Sequence, residues 1–263
     1  MEIKTKIMGI LNITPDSFYD GIPNISEKEI SSKFKKIMDA DIIDIGCESS
    51  RPGASQIVSE KEIERFKLFL PFLKRNKSKI FSIDTCKYDV AKFAIENGVK
   101  IINDISAAKN NPKMLSLAAE YDTKIILMHM QGSPDMMQKN PKYSSLMDTL
   151  ESYFEERISL ALKYNIKLEN IIIDPGIGFG KRISDNDEII QNISRLKIFS
   201  CPILIGISRK SFLQYGNDTP QDRLPATLGA TVIAVKNGVD IVRVHDVLET
   251  KSMLYSLERI ISN

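Results

Sequence analysis

Arg243 and His245 stand two residues apart in the run Arg243-Val244-His245-Asp246. In an extended segment that spacing points both side chains to the same side. An arginine fork beside an imidazole donor makes a clamp for a phosphate group. The plainer use of the pair is an ion pair with Asp246 or a helix cap. Asp84 and Asp174 each end a short apolar run, and so do Asn12, Asn103-Asp104 and His129. A seventh such run leads into Ser208-Arg209-Lys210. One acidic residue after a strand can simply cap the next helix. Polar residues at the ends of so many runs are harder to assign to capping alone.

Two further features bear on chemistry. The segment Asp174-Pro175-Gly176-Ile177-Gly178-Phe179-Gly180-Lys181 carries three glycines in five residues. Such a loop allows close backbone approach to a ligand, with Phe179 as an apolar wall. Arg182 follows Lys181 and the glycine spacing is wrong for a P-loop, so the bland alternative is a glycine turn. His129 and His245 are the only histidines, and no H-x-H or H-E-x-x-H pattern accompanies them. A zinc site therefore lacks its usual ligand set. For His129, a hydrogen-bonded strand-end role and a substrate contact remain equally open.

The elements that must position these residues are visible as eight short β-branched runs. They cover 7–13, 42–46, 79–83, 100–105, 124–129, 170–174, 202–207 and 240–244. Most are continuously apolar, as strands of a parallel sheet covered on both faces are. Helical periodicity fills the intervals at 26–40, 60–75, 88–96, 112–121, 144–164, 186–199, 223–236 and 247–261. Ser26, with Glu29 three positions later, is a candidate N-cap. Eight β-then-α units fit a (β/α)8 TIM barrel, a fold of about 250 residues, and the chain has 263. A doubly wound sheet is the rival. No linker or repeat divides the chain, so residues 1–263 are expected to form one domain. In a barrel, the polar strand ends share one rim, with Asp84 and Asp174 facing each other across it.

Composition sets outer limits. The formal net charge is +2, with 43% hydrophobic and 27% charged residues. That balance gives no reason to expect nucleic acid or a membrane surface as partner. Three irregularly spaced cysteines, Cys47, Cys86 and Cys201, argue against a disulfide framework and for a reducing compartment. With no apolar run of 18 residues and no signal-peptide pattern, the expected location is cytoplasmic.

The same segments resemble, in order, the motifs of the dihydropteroate synthase family. They are Met8-Gly9-Ile10-Leu11-Asn12-Ile13-Thr14-Pro15-Asp16-Ser17-Phe18 and Asp44-Ile45-Gly46-Cys47-Glu48-Ser49-Ser50-Arg51-Pro52-Gly53, followed by Ser82-Ile83-Asp84-Thr85 and Ile102-Asn103-Asp104-Ile105. Met128-His129-Met130-Gln131-Gly132, the glycine segment, Ser208-Arg209-Lys210-Ser211 and Arg243-Val244-His245-Asp246-Val247 complete the series. Departures are modest: Cys47 and Cys86 stand where small residues are common, Ser50 replaces Thr, Tyr19 replaces Ser, and Ile22 replaces Gly.

The resemblance implies a TIM barrel, a homodimer, and a folate-pathway reaction. p-Aminobenzoate is joined to 6-hydroxymethyl-7,8-dihydropterin diphosphate, releasing 7,8-dihydropteroate and pyrophosphate, with Mg2+. By matching motifs, Asp84, Asn103, Asp174 and Lys210 resemble the pterin-binding set. Asn12 resembles the magnesium ligand, and Ser50, Arg51, Arg243 and His245 resemble diphosphate contacts beside it. Arg51, Pro52, Phe179, Ser208 and Lys210 match the p-aminobenzoate side, where sulfonamides compete. Asp84, Lys210, Asn12, Arg243 and His245 together form the implied catalytic set. Two alternatives are a pterin-binding methyltransferase domain and a non-catalytic pterin-binding homologue.

Overall fold

The computed structural model describes residues 4–14, 26–48, 57–132, 136–137 and 140–262. Its strands are β1 (Lys6–Asn12), β2 (Ile42–Gly46), β3 (Ile80–Asp84), β4 (Ile101–Asp104), β5 (Lys124–Met128), β6 (Ile171–Asp174), β7 (Leu204–Ile205) and β8 (Ile241–Val244). All strand pairs are parallel, in the order β6-β5-β4-β3-β2-β1-β8-β7. A bridge between Ile173 and Ile203, with Ile173 N donating to Pro202 O at 3.0 Å, nearly closes the ring. The expected barrel, not the doubly wound sheet, is the fold.

Helices α1 (Glu27–Ile37), α2 (Ser59–Lys67), α3 (Leu70–Arg75), α4 (Tyr88–Glu96), α5 (Lys113–Glu120), α6 (Leu146–Lys163), α7 (Ile183–Asn192), α8 (Leu224–Lys236) and α9 (Val247–Ser262) lie between and after the strands. Helix α1 starts as its sequence requires. Glu29 N donates to Ser26 Oγ, and Glu29 Oε2 accepts from Ser26 N at 2.9 Å, a reciprocal capping box.

Three expected elements change by more than their ends. The helix expected over 60–75 is two helices, because Pro71 has no N–H to continue the ladder and instead sits in the first turn of α3. The helix expected over 186–199 starts earlier, at Ile183, and tightens into a 3₁₀ segment, Ile193–Phe199. The strand expected over 202–207 shrinks to Leu204–Ile205, bounded by Pro202, which cannot donate to a ladder.

The barrel interior is layered. Met8, Ile42, Ile101, Ile126, Ile172, Leu204 and Ile241 form an apolar cluster of their own inside the ring. Two residues further along four of these strands come Asp44, Asn103, Asp174 and Arg243. Side chains two apart share a face, so a polar layer lies directly on a hydrocarbon floor. Outside the ring, a larger core seals sheet to helices, with Phe34, Phe69, Phe72 and Phe81 meeting ring to ring.

Candidate active site

Arg243 is the hub of the polar layer. Its Nε donates to Asp44 Oδ2 at 2.6 Å and its Nη2 to Asp84 Oδ2 at 2.7 Å. Asp44 Oδ2 also accepts from Asn103 Nδ2 at 3.0 Å. Strands β8, β2, β3 and β4 are thus tied together inside the ring. Burial opposes the charge on Arg243, but Asp44, Asp84 and Asp174 more than offset it and hold the guanidinium ionised. Burial pushes the Asp84 carboxyl above the ordinary carboxylate range, against the pull of Arg243 and with a further push from Asp44. The alternative pairing of Arg243 with Asp246 is excluded. Asp246 takes Arg209 instead, whose Nε donates to it at 2.9 Å.

Asp174 and Lys210 make the second half of the site. Burial raises the Asp174 carboxyl, opposed by Lys210 and by the hydrogen bond that Asp174 Oδ1 accepts from Gly176 N at 2.7 Å. Burial pushes Lys210 down to about 8, opposed by Asp174 and reinforced by Arg243. The Lys210 ammonium donates to Ile177 O and lies 4.6 Å from the centre of the Phe179 ring, a cation–π contact. Arg243 therefore stands in the field of both Asp84 and Asp174, the two acids expected to face each other across the rim.

The glycine segment serves its own backbone first. Gly176 has φ +70°, and a Cβ there would stand 2.0 Å from His129 O. Gly180 has φ +64°, and a Cβ would stand 2.4 Å from Gln131 O. The loop lies against the end of β5, which only glycine permits. Gly178 faces the Lys210 side chain, while the other two glycines thus make their close approach to the neighbouring strand end. Lys181, buried, locks it there: Nζ bonds His129 Nδ1 at 3.0 Å and donates to Phe179 O at 3.1 Å. Burial and Lys181 depress His129 strongly, and its ring packs edge-on against Tyr153. These contacts are those of the hydrogen-bonded reading of His129.

The remaining expected residues divide three ways. His245 Nδ1 bonds Ser208 Oγ at 2.9 Å, and His245 N donates to the same hydroxyl at 3.2 Å, which joins a residue expected on the diphosphate side to one expected on the p-aminobenzoate side. Asn12 ends β1 on the rim, with its amide oxygen 2.9 Å from where a Cβ on Gly46 would stand, so Gly46 makes room for it. Ser50, Arg51 and Pro52, with Tyr19 and Ile22 of the first loop, lie outside the described residues.

Two features were not among the expected site residues. Asp104, beside Asn103, faces away from the rim and accepts from Ser106 N, Ser106 Oγ and Ala108 N, so it stabilises a turn. Asp44 is the opposite case, a fully buried acid in mid-strand that joins Arg243 to Asn103. Its signal was an acidic residue at an inward position of the apolar run Ile42-Ile43-Asp44-Ile45.

Comparison with known proteins places this arrangement. The sequence profile of the family described as "Pterin binding enzyme" matches residues 8–245. The chain is 42% identical to the dihydropteroate synthase of Clostridium beijerinckii over 251 residues, 94% of this chain and 90% of that protein. A dihydropteroate synthase from Yersinia pestis, solved as a sulfonamide drug complex, superposes with a TM-score of 0.91 at 35% identity, covering 99% of this chain and 95% of that one. One from Xanthomonas albilineans, solved with 4-aminobenzoic acid, gives a TM-score of 0.91 at 31% identity, covering 99% and 94%. With nearly its whole length matched in sequence and in fold, the chain belongs to the dihydropteroate synthase family of pterin-binding enzymes, transferases of the folate pathway.

Proposed function

We infer that the mouth of this barrel condenses p-aminobenzoate with 6-hydroxymethyl-7,8-dihydropterin diphosphate, giving 7,8-dihydropteroate and pyrophosphate. The observation that carries this reading is Arg243 held between Asp44 and Asp84 on the polar layer, with Asp174 and Lys210 beside it. A pterin ring presents ring nitrogens, an amino group and a carbonyl along one edge. Asp174 accepts from the amino and ring N–H groups, Asn103 both donates and accepts, and Lys210 donates to the carbonyl or a ring nitrogen. Phe179, under the Lys210 ammonium, is an apolar wall for the arylamine.

Bond breaking between the exocyclic carbon and the diphosphate oxygen leaves positive charge on the carbon and negative charge on the departing group. Asp84 stabilises the first, Arg243 and His245 the second. The arylamine nitrogen then adds to the carbon and releases its proton to solvent. By the family motifs, Asn12, Ser50 and Arg51 are assigned to the diphosphate as well.

The donor set fits magnesium better than zinc. Among the described residues no group of three His, Cys, Asp or Glu side chains is placed to hold a metal. A single neutral amide oxygen on the rim, at Asn12, suits a hard ion that takes its other ligands from diphosphate and water. Bound there, it supplies positive charge at the leaving group.

The test is pyrophosphate release. It should require both substrates, whereas neither pyrophosphate release nor dihydropteroate formation would favour a non-catalytic pterin binder. Methyl transfer to a corrinoid protein, the other alternative, gives no use for Arg243 and His245 as a diphosphate clamp. A homodimer belongs to the same reading, supported by the exposed apolar side chains Ile233 on α8 and Leu248, Tyr255 and Ile260 on α9. Among the described residues no helix is long and apolar enough to cross a membrane. Free Cys47, Cys86 and Cys201 support a cytoplasmic location.

A further inference from the structure

We propose that Asp44 is a positioning residue for this reaction: one oxygen of its carboxylate holds both Arg243, for the diphosphate, and Asn103, for the pterin edge. The proposal rests on the functional reading above and adds a residue to it. Asp44 is fully buried in the middle of β2, and its two donors come from β8 and β4, strands not adjacent to β2. Both bonds end on Oδ2. Oδ1 has no hydrogen-bond partner among the described residues, and the same holds for the buried hydroxyl of Ser82, its register neighbour on β3.

Fold stability does not explain such a residue. The floor two residues below shows what fills this barrel where packing alone decides: Ile42, Ile101, Ile172 and Ile241. A buried carboxylate with one unpartnered oxygen costs desolvation that a hydrocarbon side chain avoids. What Asp44 provides instead is a fixed relation between the guanidinium and the carboxamide, set before substrate arrives. Both groups then meet a ligand without first losing rotamer freedom, which is the advantage of preorganisation.

The experiment compares Asp44→Ala with Asp44→Asn by calorimetric titration of the pterin diphosphate. The amide oxygen of asparagine can take the place of Oδ2 and accept from both donors, whereas alanine leaves both unheld. Asp44→Ala should raise Kd by about 10–100-fold with binding stoichiometry still near one, the effect of losing hydrogen bonds to charged groups. Asp44→Asn should stay within about fivefold of the original chain. A role in fold support alone would lower the stoichiometry and leave the Kd of the folded fraction unchanged, and that result would overturn the proposal. So would Kd within twofold for Asp44→Ala, or equal losses in both variants, which would make charge and not position the contribution. Should Asp44→Ala not fold, Asp44→Ser, whose shorter hydroxyl cannot bridge both donors, carries the same comparison. An unaltered chain that does not bind the pterin diphosphate would overturn the functional reading and this proposal with it. Normal binding by that chain alongside an unaffected Asp44→Ala overturns this proposal alone.

Discussion

The Arg243 guanidinium donates to the Asp84 carboxylate at 2.7 Å, so the site without substrate already contains one positive and one negative group in contact. The reaction creates the complementary pair, a cationic exocyclic carbon and an anionic diphosphate. On the proposed mechanism, the diphosphate faces Arg243 and the carbon faces Asp84. Fixed charges arranged this way need little reorganisation at the moment of bond breaking. Asp44 holds Arg243 from the other side, so the guanidinium has a second carboxylate partner besides Asp84.

Arg243→Ala should therefore affect two quantities at once. Turnover should fall severely, and pterin diphosphate should lose more affinity than the unphosphorylated hydroxymethyl pterin. Removing the cation also leaves Asp44 and Asp84 buried without their partner, at about 3–5 kcal/mol of stability. Calorimetry with both ligands, on protein shown to be folded, separates these effects. Equal affinity losses for the two ligands would move Arg243 off the diphosphate.

Magnesium should bind the empty protein weakly and much better beside diphosphate oxygens, because Asn12 offers one neutral oxygen and the ion retains several waters. Titrating Mg2+ with and without pyrophosphate measures the difference. Tight stoichiometric zinc needed for activity would contradict the donor set.

Lys210 gives a pH dependence with a definite sign. Burial holds it down to about 8, so its positive charge dominates below that pH and is lost above it. Affinity for the pterin diphosphate should weaken as pH rises through about 8. Lys210→Met should bind more weakly at pH 7 and show no such alkaline limb. Titrations between pH 7 and 9 on both proteins check this, and an identical limb in Lys210→Met would assign it to another group.

Much of this was legible in the residues, for reasons that differ from element to element. Continuous apolar runs mark most of the strands because both faces of a parallel sheet are covered. Ser26 and Glu29 marked a helix start because their capping bonds are local. Pro71 was visible, yet the spacing of Ile63, Phe66, Phe69 and Leu73 runs across the break and concealed it. Asp84 and Asp104 both looked like strand ends; the structure separates them by which way each side chain faces. Asp44 lies in the middle of a strand, where the pattern of polar strand ends does not reach. Its partners on β8 and β4 meet it only inside the closed ring, and no spacing along the chain encodes that meeting.

Asp174 and Asp84 are assigned different work, and asparagine at each position tests the division. Asp174 reads the pterin edge beside Lys210. In Asp174→Asn an acceptor becomes a mixed acceptor and donor, so one donor on the ligand meets the wrong partner. Binding should weaken before any chemistry, by roughly 1–3 kcal/mol for an unmade hydrogen bond. Asp84 faces Arg243 and the charge that develops on the exocyclic carbon. Burial raises its carboxyl, so replacing it with a neutral group removes a buried charge, while Arg243 keeps its bond to Asp44. Asp84→Asn should thus remain folded and bind nearly normally, yet slow the chemical step. Two measurements on each variant decide: equilibrium binding of the pterin diphosphate, and single-turnover formation of dihydropteroate at saturating substrates. A large single-turnover defect in Asp84→Asn with nearly normal binding supports the division. Equal binding losses in both variants, with normal turnover once saturated, would place both aspartates in recognition and leave the departing charge to Arg243 and His245.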